Sequence, residues 1–361
     1  MYRYWLSHLT EISPGKKLYL LEQFHNAKEL FHTSEKQIMQ LQGLSQANKD
    51  MLIESRRYTD WQRRWNTFLE SGLGFVTLED DAFPIRLREI ANAPYSIFYR
   101  GKLPDNLQYA VAVVGARQRS AYGQTVARML GNALAKENVP VISGLALGID
   151  ADAHKGCLEK NGKTFAVLGC GVDVIYPRSN RYLYEELVQM GGGILSEYPP
   201  GTPAQNYHFP MRNRIISALS NCVVVVEARK KSGSLITADY ALEQGKDVYA
   251  VPGRVADSLS EGCNQLIHDG CGIYISAEDF LKDIGILNHI SLSKRTDLKN
   301  ILEKEERLLY SLIDFTPTSI GVLMQKTSFS FSDLLRYLEQ MIEKEVIAES
   351  PANFFVRTKI L

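Results

Sequence analysis

The pattern of apolar and polar residues changes twice along the chain and predicts three regions. Up to about residue 75, apolar residues recur at three- and four-residue steps, as expected for amphipathic helices. From about residue 95 to residue 285, short apolar runs rich in β-branched residues alternate with helical stretches. After residue 300 the helical spacing returns, and the chain ends in two short β-like runs.

The central region predicts an α/β fold with a doubly wound, mostly parallel sheet. Most of its apolar runs lack polar–apolar alternation, which is typical of strands buried on both faces. Helical stretches between consecutive strands favour right-handed crossovers. Ligands bind such sheets beyond the carboxyl ends of the strands. The strands are predicted at 111–114, 140–142, 165–168, 193–195, 222–226, 248–251 and 273–275.

The amino-terminal region, residues 1–75, is predicted to be a small helical domain. Gly43 separates two of its helical stretches, which is the layout of a helix-hairpin-helix or of a sterile-alpha-motif-like bundle. Glycine is also a common turn residue between helices, so we favour a packing module over a DNA-binding hairpin.

The carboxyl-terminal region, residues 301–361, follows a polar stretch at 286–300 that we predict to be a linker. Three helical patterns and a terminal hairpin predict a winged-helix-like domain. Its expected recognition helix offers Arg336 as the one cation for reading bases, beside Asp333 and Glu339. We therefore favour a protein contact or a vestigial wing over sequence-specific DNA binding.

Composition and charge exclude some classes of protein. The 361 residues carry 41 Lys+Arg and 41 Asp+Glu, so the formal net charge is zero, unlike that of a protein that coats nucleic acid with its whole surface. No apolar run reaches the roughly 18–20 residues of a membrane span. Five scattered cysteines without a CxxC pair predict neither a disulfide framework nor a metal site. We expect a cytoplasmic protein with no membrane contact and no cofactor.

Glycine, serine and basic residues concentrate where the predicted strands end. Glycine there allows backbone amides to approach an anion closely, and the helix that follows points its positive dipole end at the same place. These loops are therefore candidates for phosphate binding. The residues concerned are Gly115, Arg117, Ser143, Gly144, Gly148, Gly169, Gly171, Lys231 and Ser234.

The stretch after the fourth of these strands gives the strongest local signal. A helix beginning near Met211 would place Arg212, Asn213 and Arg214 in its first turn, where cations oppose the helix dipole unless an anion also binds. Phe209 beside them offers a flat face on which a base could stack, with a stabilisation of about 1–3 kcal/mol. The sequence therefore predicts phosphate and base binding here.

Structural alternatives exist for several of these residues. The arginines could instead pair with Glu197 or Glu227, with Phe209 in the core. Asp150 and His154 share a helix face, but we favour roles in the helix dipole and in packing over a metal site. Cys170 has no His–Asp pair at a recognisable spacing, so a buried thiol is favoured and no catalytic residue is predicted.

Taken in order, these motifs resemble the DNA-processing protein A (DprA/Smf) family over about residues 80–285. The resemblance implies an extended Rossmann domain that binds single-stranded DNA without sequence preference and forms a homodimer. It also implies a non-enzymatic role, in which incoming DNA is protected and handed to the RecA recombinase during natural transformation; single-strand-binding protein is a further candidate partner. The motifs are Gly115–Gly123, Ser143-Gly144 to His154, Gly169 to Pro177, Phe209 to Ile215, Ser232 to Ala238 and Val251-Pro252-Gly253.

The resemblance also places the family's DNA pocket on this sequence. The positions are Arg117, Ser143, Gly144, Gly169, Phe209, Arg212, Asn213, Arg214, Lys231 and Ser234. Where the family commonly has Ser or Thr, this chain has Ala116, so one hydroxyl contact to phosphate is expected to be missing.

Two further expectations concern charge and function. The cations predicted at the ligand edge are Arg117, Arg119, Arg212, Arg214, Arg229, Lys230 and Lys231. The compensating acids are expected mostly elsewhere, so the charge would be neutral in sum but polarised in space. The alternative function is an enzyme or sensor for a nucleotide phosphate, of the lysine-decarboxylase-like phosphoribohydrolase type, although its PGGxGT-like loop is not found in the sequence.

Overall fold

The structure is a computed structural model that describes residues 1–58, 60–104, 107–287, 302–344, 346–349 and 351–358. Most of the predicted linker at 286–300 lies outside these residues. A nine-stranded sheet occupies the centre of the fold. Its strands are β1 (Gly74–Thr77), β2 (Ser96–Gly101), β3 (Val111–Val114), β4 (Val141–Ser143), β5 (Thr164–Leu168), β6 (Gly193–Ser196), β7 (Cys222–Val225), β8 (Asp247–Ala250) and β9 (Gly272–Ile273).

The strand order is β1-β2-β6-β5-β4-β3-β7-β8-β9. The seven strands from β6 to β9 in this order pair in parallel with one another. β1 pairs antiparallel with β2, and β2 pairs antiparallel with β6. The prediction of a mostly parallel sheet is confirmed. The antiparallel extension was not predicted, and because the sheet begins at Gly74, it overlaps the end of the region assigned to the amino-terminal domain.

Helices cover both faces of the sheet, because its central strands are apolar on both sides. Val111 and Val113 of β3 pack against the helices at Ala121–Lys136 and Ile149–Leu158. Ala112 and Val114 lie on the opposite face, in the cluster with the helices at His208–Leu219 and Gly233–Glu243. The helices of this region are α7 (Ile85–Arg88), α8 (Ala121–Lys136), α9 (Ile149–Leu158), α10 (Arg181–Gln189), α11 (His208–Leu219), α12 (Gly233–Glu243), α13 (Glu261–His268) and α14 (Ala277–Asp283).

The amino-terminal residues form short helices that pack onto the central region. Tyr4 and Trp5 of α1 share one core cluster with Phe98 of β2 and Leu168 of β5, so this bundle and the sheet bury apolar surface together. The helices are α1 (Tyr2–His8), α2 (Pro14–Phe24), α3 (Ala27–His32), α4 (Glu35–Gln40), α5 (Gln46–Arg57) and α6 (Trp61–Glu70).

The carboxyl-terminal residues have a separate core around Leu309, Leu334 and Phe355. Three helices pack there against a three-stranded antiparallel sheet of order β10-β12-β11. The winged-helix assignment stays a prediction. The elements are α15 (Lys304–Leu312), β10 (Thr318–Ser319), α16 (Ile320–Lys326), α17 (Phe331–Glu343), β11 (Ile347–Glu349) and β12 (Phe354–Arg357). Among the described helices, none is long and apolar enough to cross a membrane.

Candidate nucleic-acid interface

A cavity of about 650 Å³ lies at the carboxyl edge of the parallel strands, between the turn after β3, the start of α11 and the loop from β7 to α12. We call it the basic cavity. It lies where a doubly wound sheet places its ligands. The predicted site residues that line it are Gly115, Arg117, Phe209, Arg212, Asn213, Lys231 and Ser234. Lining residues outside the predicted set include Gln118, Leu147, Asp150, Asn206, Arg229, Ser232 and Thr237.

Exposed cations give the basic cavity its charge. Arg117, Arg229 and Lys231 are exposed at its rim, and none of them has an ion-pair partner among the described residues. The first turn of α12 faces the same space with Gly233 and Ser234. Backbone amides at a helix start favour an anion, so cations and helix dipole act in the same direction here.

Arg212 contributes from beneath the basic cavity. Its side chain is buried, and its guanidinium donates hydrogen bonds to the carbonyl oxygens of Gly144, at 2.9 Å, and of Val167. Its Nε donates to Asn213 Oδ1 at 3.2 Å. Burial lowers the pKa of Arg212 to about 10, while the nearby Asp150 carboxylate favours the charged form. Arg212 therefore links the carboxyl ends of β4 and β5 by hydrogen bonds and adds positive charge to the cavity wall.

Arg214 has a different environment from Arg212. It is 2% exposed, and its Nη2 donates to both carboxylate oxygens of Glu197, at 2.9 and 2.8 Å. It does not line the basic cavity. The structural alternative, pairing with Glu197, is thus the arrangement found.

The prediction that Arg212 and Arg214 lie in the first turn of α11 and oppose its dipole was wrong. α11 begins at His208, not near Met211, so Arg212 and Arg214 lie in its second turn. The field of the helix terminus falls off within the first turn. The cations therefore do not oppose the dipole, and their burial has to be explained by the carbonyl and carboxylate groups around them.

Phe209 lies on the wall of the basic cavity, in contact with a cation and a second aromatic ring. The guanidinium carbon of Arg117 is 5.0 Å from the centroid of the ring, a cation–π distance. The ring of Tyr176 stacks on Phe209 with centroids 5.6 Å apart and planes at 29°. A Cβ on Gly169 would lie 2.9 Å from Phe209 Cδ1, so this glycine makes room for the ring.

The other predicted glycines shape the loops around the cavity. Gly148, at the start of α9, has φ of +80°, and a Cβ there would lie 2.2 Å from the carbonyl oxygen of Ala116. A Cβ on Gly144 would lie 2.6 Å from the Arg212 guanidinium. Ser143, Gly144, Gly148, Gly169 and Gly171 are not in the cavity wall itself; a direct contact of these residues with DNA stays a prediction.

The prediction that the acids lie away from these cations was wrong for part of the set. Arg119 Nε is 2.8 Å from Asp152 Oδ2, and the Asp152 side chain is almost fully buried. Glu227, which is buried too, accepts a hydrogen bond from the Ser120 amide at 2.9 Å instead of pairing with an arginine.

The three remaining candidates, Asp150, His154 and Cys170, are buried and contact other groups of the protein. Asp150 accepts a hydrogen bond from the Gly144 amide at 3.1 Å, and burial raises its pKa. His154 Nδ1 lies 2.6 Å from Thr164 Oγ1 in the core. Cys170 is buried, and burial raises the pKa of its thiol to about 11, which keeps it protonated and a poor nucleophile at neutral pH.

Comparison with protein families identifies the central region. The model of the family described as DNA recombination-mediator protein A matches residues 74–285, more than half of the chain. The chain belongs to this family. The DprA/Smf resemblance is thereby confirmed. Since the family is one of DNA-binding recombination mediators and not of enzymes, the alternative of a nucleotide-phosphate enzyme is not supported.

Named relatives agree with the DprA/Smf assignment. The chain is 45% identical over 205 residues to the DNA processing protein DprA of Streptococcus pneumoniae, which is 56% of this chain and 72% of that protein. It is 42% identical over 217 residues to the protein Smf of Synechocystis, which is 59% of this chain and 54% of that protein. The match to Smf thus spans only about half of that relative.

Solved DprA structures share the fold. DprA from Streptococcus pneumoniae aligns with a TM-score of 0.68 and 36% identity, covering 78% of this chain and 98% of that one. DprA from Helicobacter pylori, described with its single-stranded DNA binding mode, aligns with a TM-score of 0.53 and 30% identity, covering 58% of this chain and 95% of that one.

Proposed function

We propose that this protein binds single-stranded DNA without sequence preference, and that the basic cavity holds the strand. The observation that carries the proposal is the coincidence, at one sheet edge, of a helix start, an aromatic ring and three cations that have no ion-pair partner within the described ranges. Arg117, Arg229 and Lys231 would neutralise phosphates, and Phe209 would stack a base. The single-stranded DNA binding described for the Helicobacter pylori relative supports the same function.

The composition of the cavity wall favours binding without sequence preference. Stacking on an aromatic ring and contacts to phosphate are available to every nucleotide, since each base has a π-face. The side-chain amides of the wall that could read base edges are those of Gln118, Asn206 and Asn213, and the Asn213 side chain donates to the carbonyl oxygen of Gly233 at 3.1 Å. Asn213 is therefore partly engaged within the protein.

The experiment compares adjacent lysines. Lys231 lines the basic cavity and Lys230 does not, although both are exposed. We expect Lys231→Ala and Arg117→Ala each to weaken oligo-dT binding about tenfold, the loss of one charge-assisted hydrogen bond of about 1.5 kcal/mol. Lys230→Ala is the matched control and should bind like the unmodified protein. Equal effects of Lys230→Ala and Lys231→Ala in fluorescence anisotropy would contradict the role of this cavity.

We further propose that the protein acts as a homodimer that protects incoming DNA and loads RecA recombinase onto it in natural transformation. Support comes from the family's description as a recombination mediator and from the DprA relatives. The measurement is the rate of RecA filament assembly on DNA already coated by single-strand-binding protein. No acceleration by a protein that binds oligo-dT normally would refute the loading role and leave DNA binding intact.

A further inference from the structure

The exposed ring of Tyr176 lies next to the basic cavity. Tyr176 is 43% exposed and stacks on Phe209, yet it is not part of the cavity wall. Whereas the guanidinium carbon of Arg117 lies 5.0 Å from the centroid of the Phe209 ring, no cation lies over Tyr176 among the described residues. A base that stacks on Phe209 competes with Arg117, and a base on Tyr176 has no such competitor.

The loop between β5 and α10 that carries Tyr176 is fixed by buried polar contacts. The Asn180 side-chain amide donates to the carbonyl oxygens of Leu145, at 3.0 Å, and Ala146, at 3.3 Å. The Tyr184 hydroxyl donates to the carbonyl oxygen of Val172. Because the loop is held at both points, Tyr176 is presented on a rigid support, which lowers the entropy cost of stacking.

Charge differs between the two sides of the basic cavity. On the Tyr176 side, the loop and the start of α10 carry two exposed arginines, Arg178 and Arg181, without an ion-pair partner in the described part of the chain. The loop's exposed acid, Asp173, accepts a hydrogen bond from the Gly201 amide at 2.8 Å. On the other side, beyond Leu259, lies a second cleft of about 790 Å³ lined by Glu227, Asp257 and Asp314, which we call the acidic cleft.

The acidic cleft is a poor path for a phosphate backbone. Its one cation, Arg254, lies 3.9 Å from Asp314 and is thus offset by a carboxylate. Like charges in a partly enclosed space repel phosphate, whereas Arg178 and Arg181 on the opposite side, exposed and without a described ion-pair partner, attract it. The exposed arginines and the aromatic surface of Tyr176 therefore both favour a strand that leaves the basic cavity on the Tyr176 side.

We propose that Tyr176 stacks a second base, and that the DNA strand leaves the basic cavity across the loop from β5 to α10 and not through the acidic cleft. This inference rests on the proposed DNA-binding function and adds the direction of the strand. It predicts that Tyr176 matters for strands that extend beyond the cavity.

The test measures binding of a thymidine dinucleotide, which can occupy the basic cavity alone, and of a 15-mer of oligo-dT to the full chain. We expect Tyr176→Ala to weaken 15-mer binding about 5- to 150-fold, the effect of losing one base–aromatic stack. Dinucleotide binding should stay unchanged, and Tyr176→Phe should behave like the unmodified protein. Tyr122→Ala, in the acidic cleft, is the matched aromatic control.

A second readout separates stacking from a structural role. With 2-aminopurine at one central position of the 15-mer, Tyr176→Ala should lower but not abolish the quenching of its fluorescence by bound protein, because Phe209 still stacks a base. Equal losses for dinucleotide and 15-mer would mean that Tyr176 only orients Phe209, and no loss at all would mean that it contacts no base; either result overturns the inference. If the unmodified protein binds neither ligand, the proposed function itself fails.

Discussion

Replacing Arg214 by methionine should destabilise the fold without removing a cation from the basic cavity. Besides its two hydrogen bonds to Glu197, Arg214 donates from Nε to the carbonyl oxygen of Asn92 and from Nη1 to that of Met211, both at 3.0 Å. The substitution leaves the Glu197 carboxylate, whose side chain is 18% exposed, without its partner. Removing one partner of a buried pair costs about 3–5 kcal/mol, and we expect about 3 kcal/mol because Glu197 retains some solvent contact.

Urea unfolding followed by circular dichroism measures this loss. The double variant Arg214→Met/Glu197→Leu should recover most of the unfolding free energy, since replacing both charges by apolar side chains of similar size is often neutral. Oligo-dT binding by folded Arg214→Met should stay within about twofold of the unmodified protein. The reasoning is refuted if Arg214→Met unfolds normally, within about 0.5 kcal/mol, but loses its affinity for DNA. Arg214 would then be the DNA contact that the sequence predicted.

Two further predictions concern buried histidines and a strained glycine. Burial lowers the pKa of His154 to about 3 and of His8 to about 4, below the unfolded value near 6.5, so the unfolded chain gains protons first as the pH falls. The unfolding free energy should thus drop between about pH 6.5 and pH 4 in urea titrations, and less so in His154→Gln; a constant value would contradict this burial. Gly148→Ala should cost clearly more unfolding free energy than Gly191→Ala, because both have positive φ but only the first meets a backbone atom; equal losses would show that strain alone matters.

The parallel strands could be predicted because their residues determine them locally. Val111–Val114 and Cys222–Val225 are apolar throughout, and the structure buries every residue of both strands. β1 and β2 could not be predicted in this way. β1 has four residues, begins with Gly74 and exists as a strand because it pairs with β2 across the segment that contains α7. Such short edge strands depend on a distant partner, which hydrophobic periodicity does not reveal.

The same limit explains the arginines of α11. Arg212 and Arg214 are two residues apart, so they point to different sides of the helix. One reaches carbonyl groups beside the basic cavity and the other reaches Glu197. The sequence showed that cations cluster in this segment, but which of them faces a ligand depends on the phase of the helix and on a carboxylate from another loop.

The pairing of charges changes the expected salt dependence of DNA binding. Each phosphate contact on a single strand contributes about 0.7 to the slope of log K against log salt. The seven cations counted in the sequence would give a slope of about −5. The three that line the basic cavity and have no ion-pair partner in the part of the chain that the structure describes, Arg117, Arg229 and Lys231, give about −2 per chain. Binding should therefore persist at moderate salt and depend strongly on stacking. A slope near −3.5 for a short strand, the value for about five contacts, would mean that the pairs Arg119–Asp152 and Arg214–Glu197 open when DNA binds.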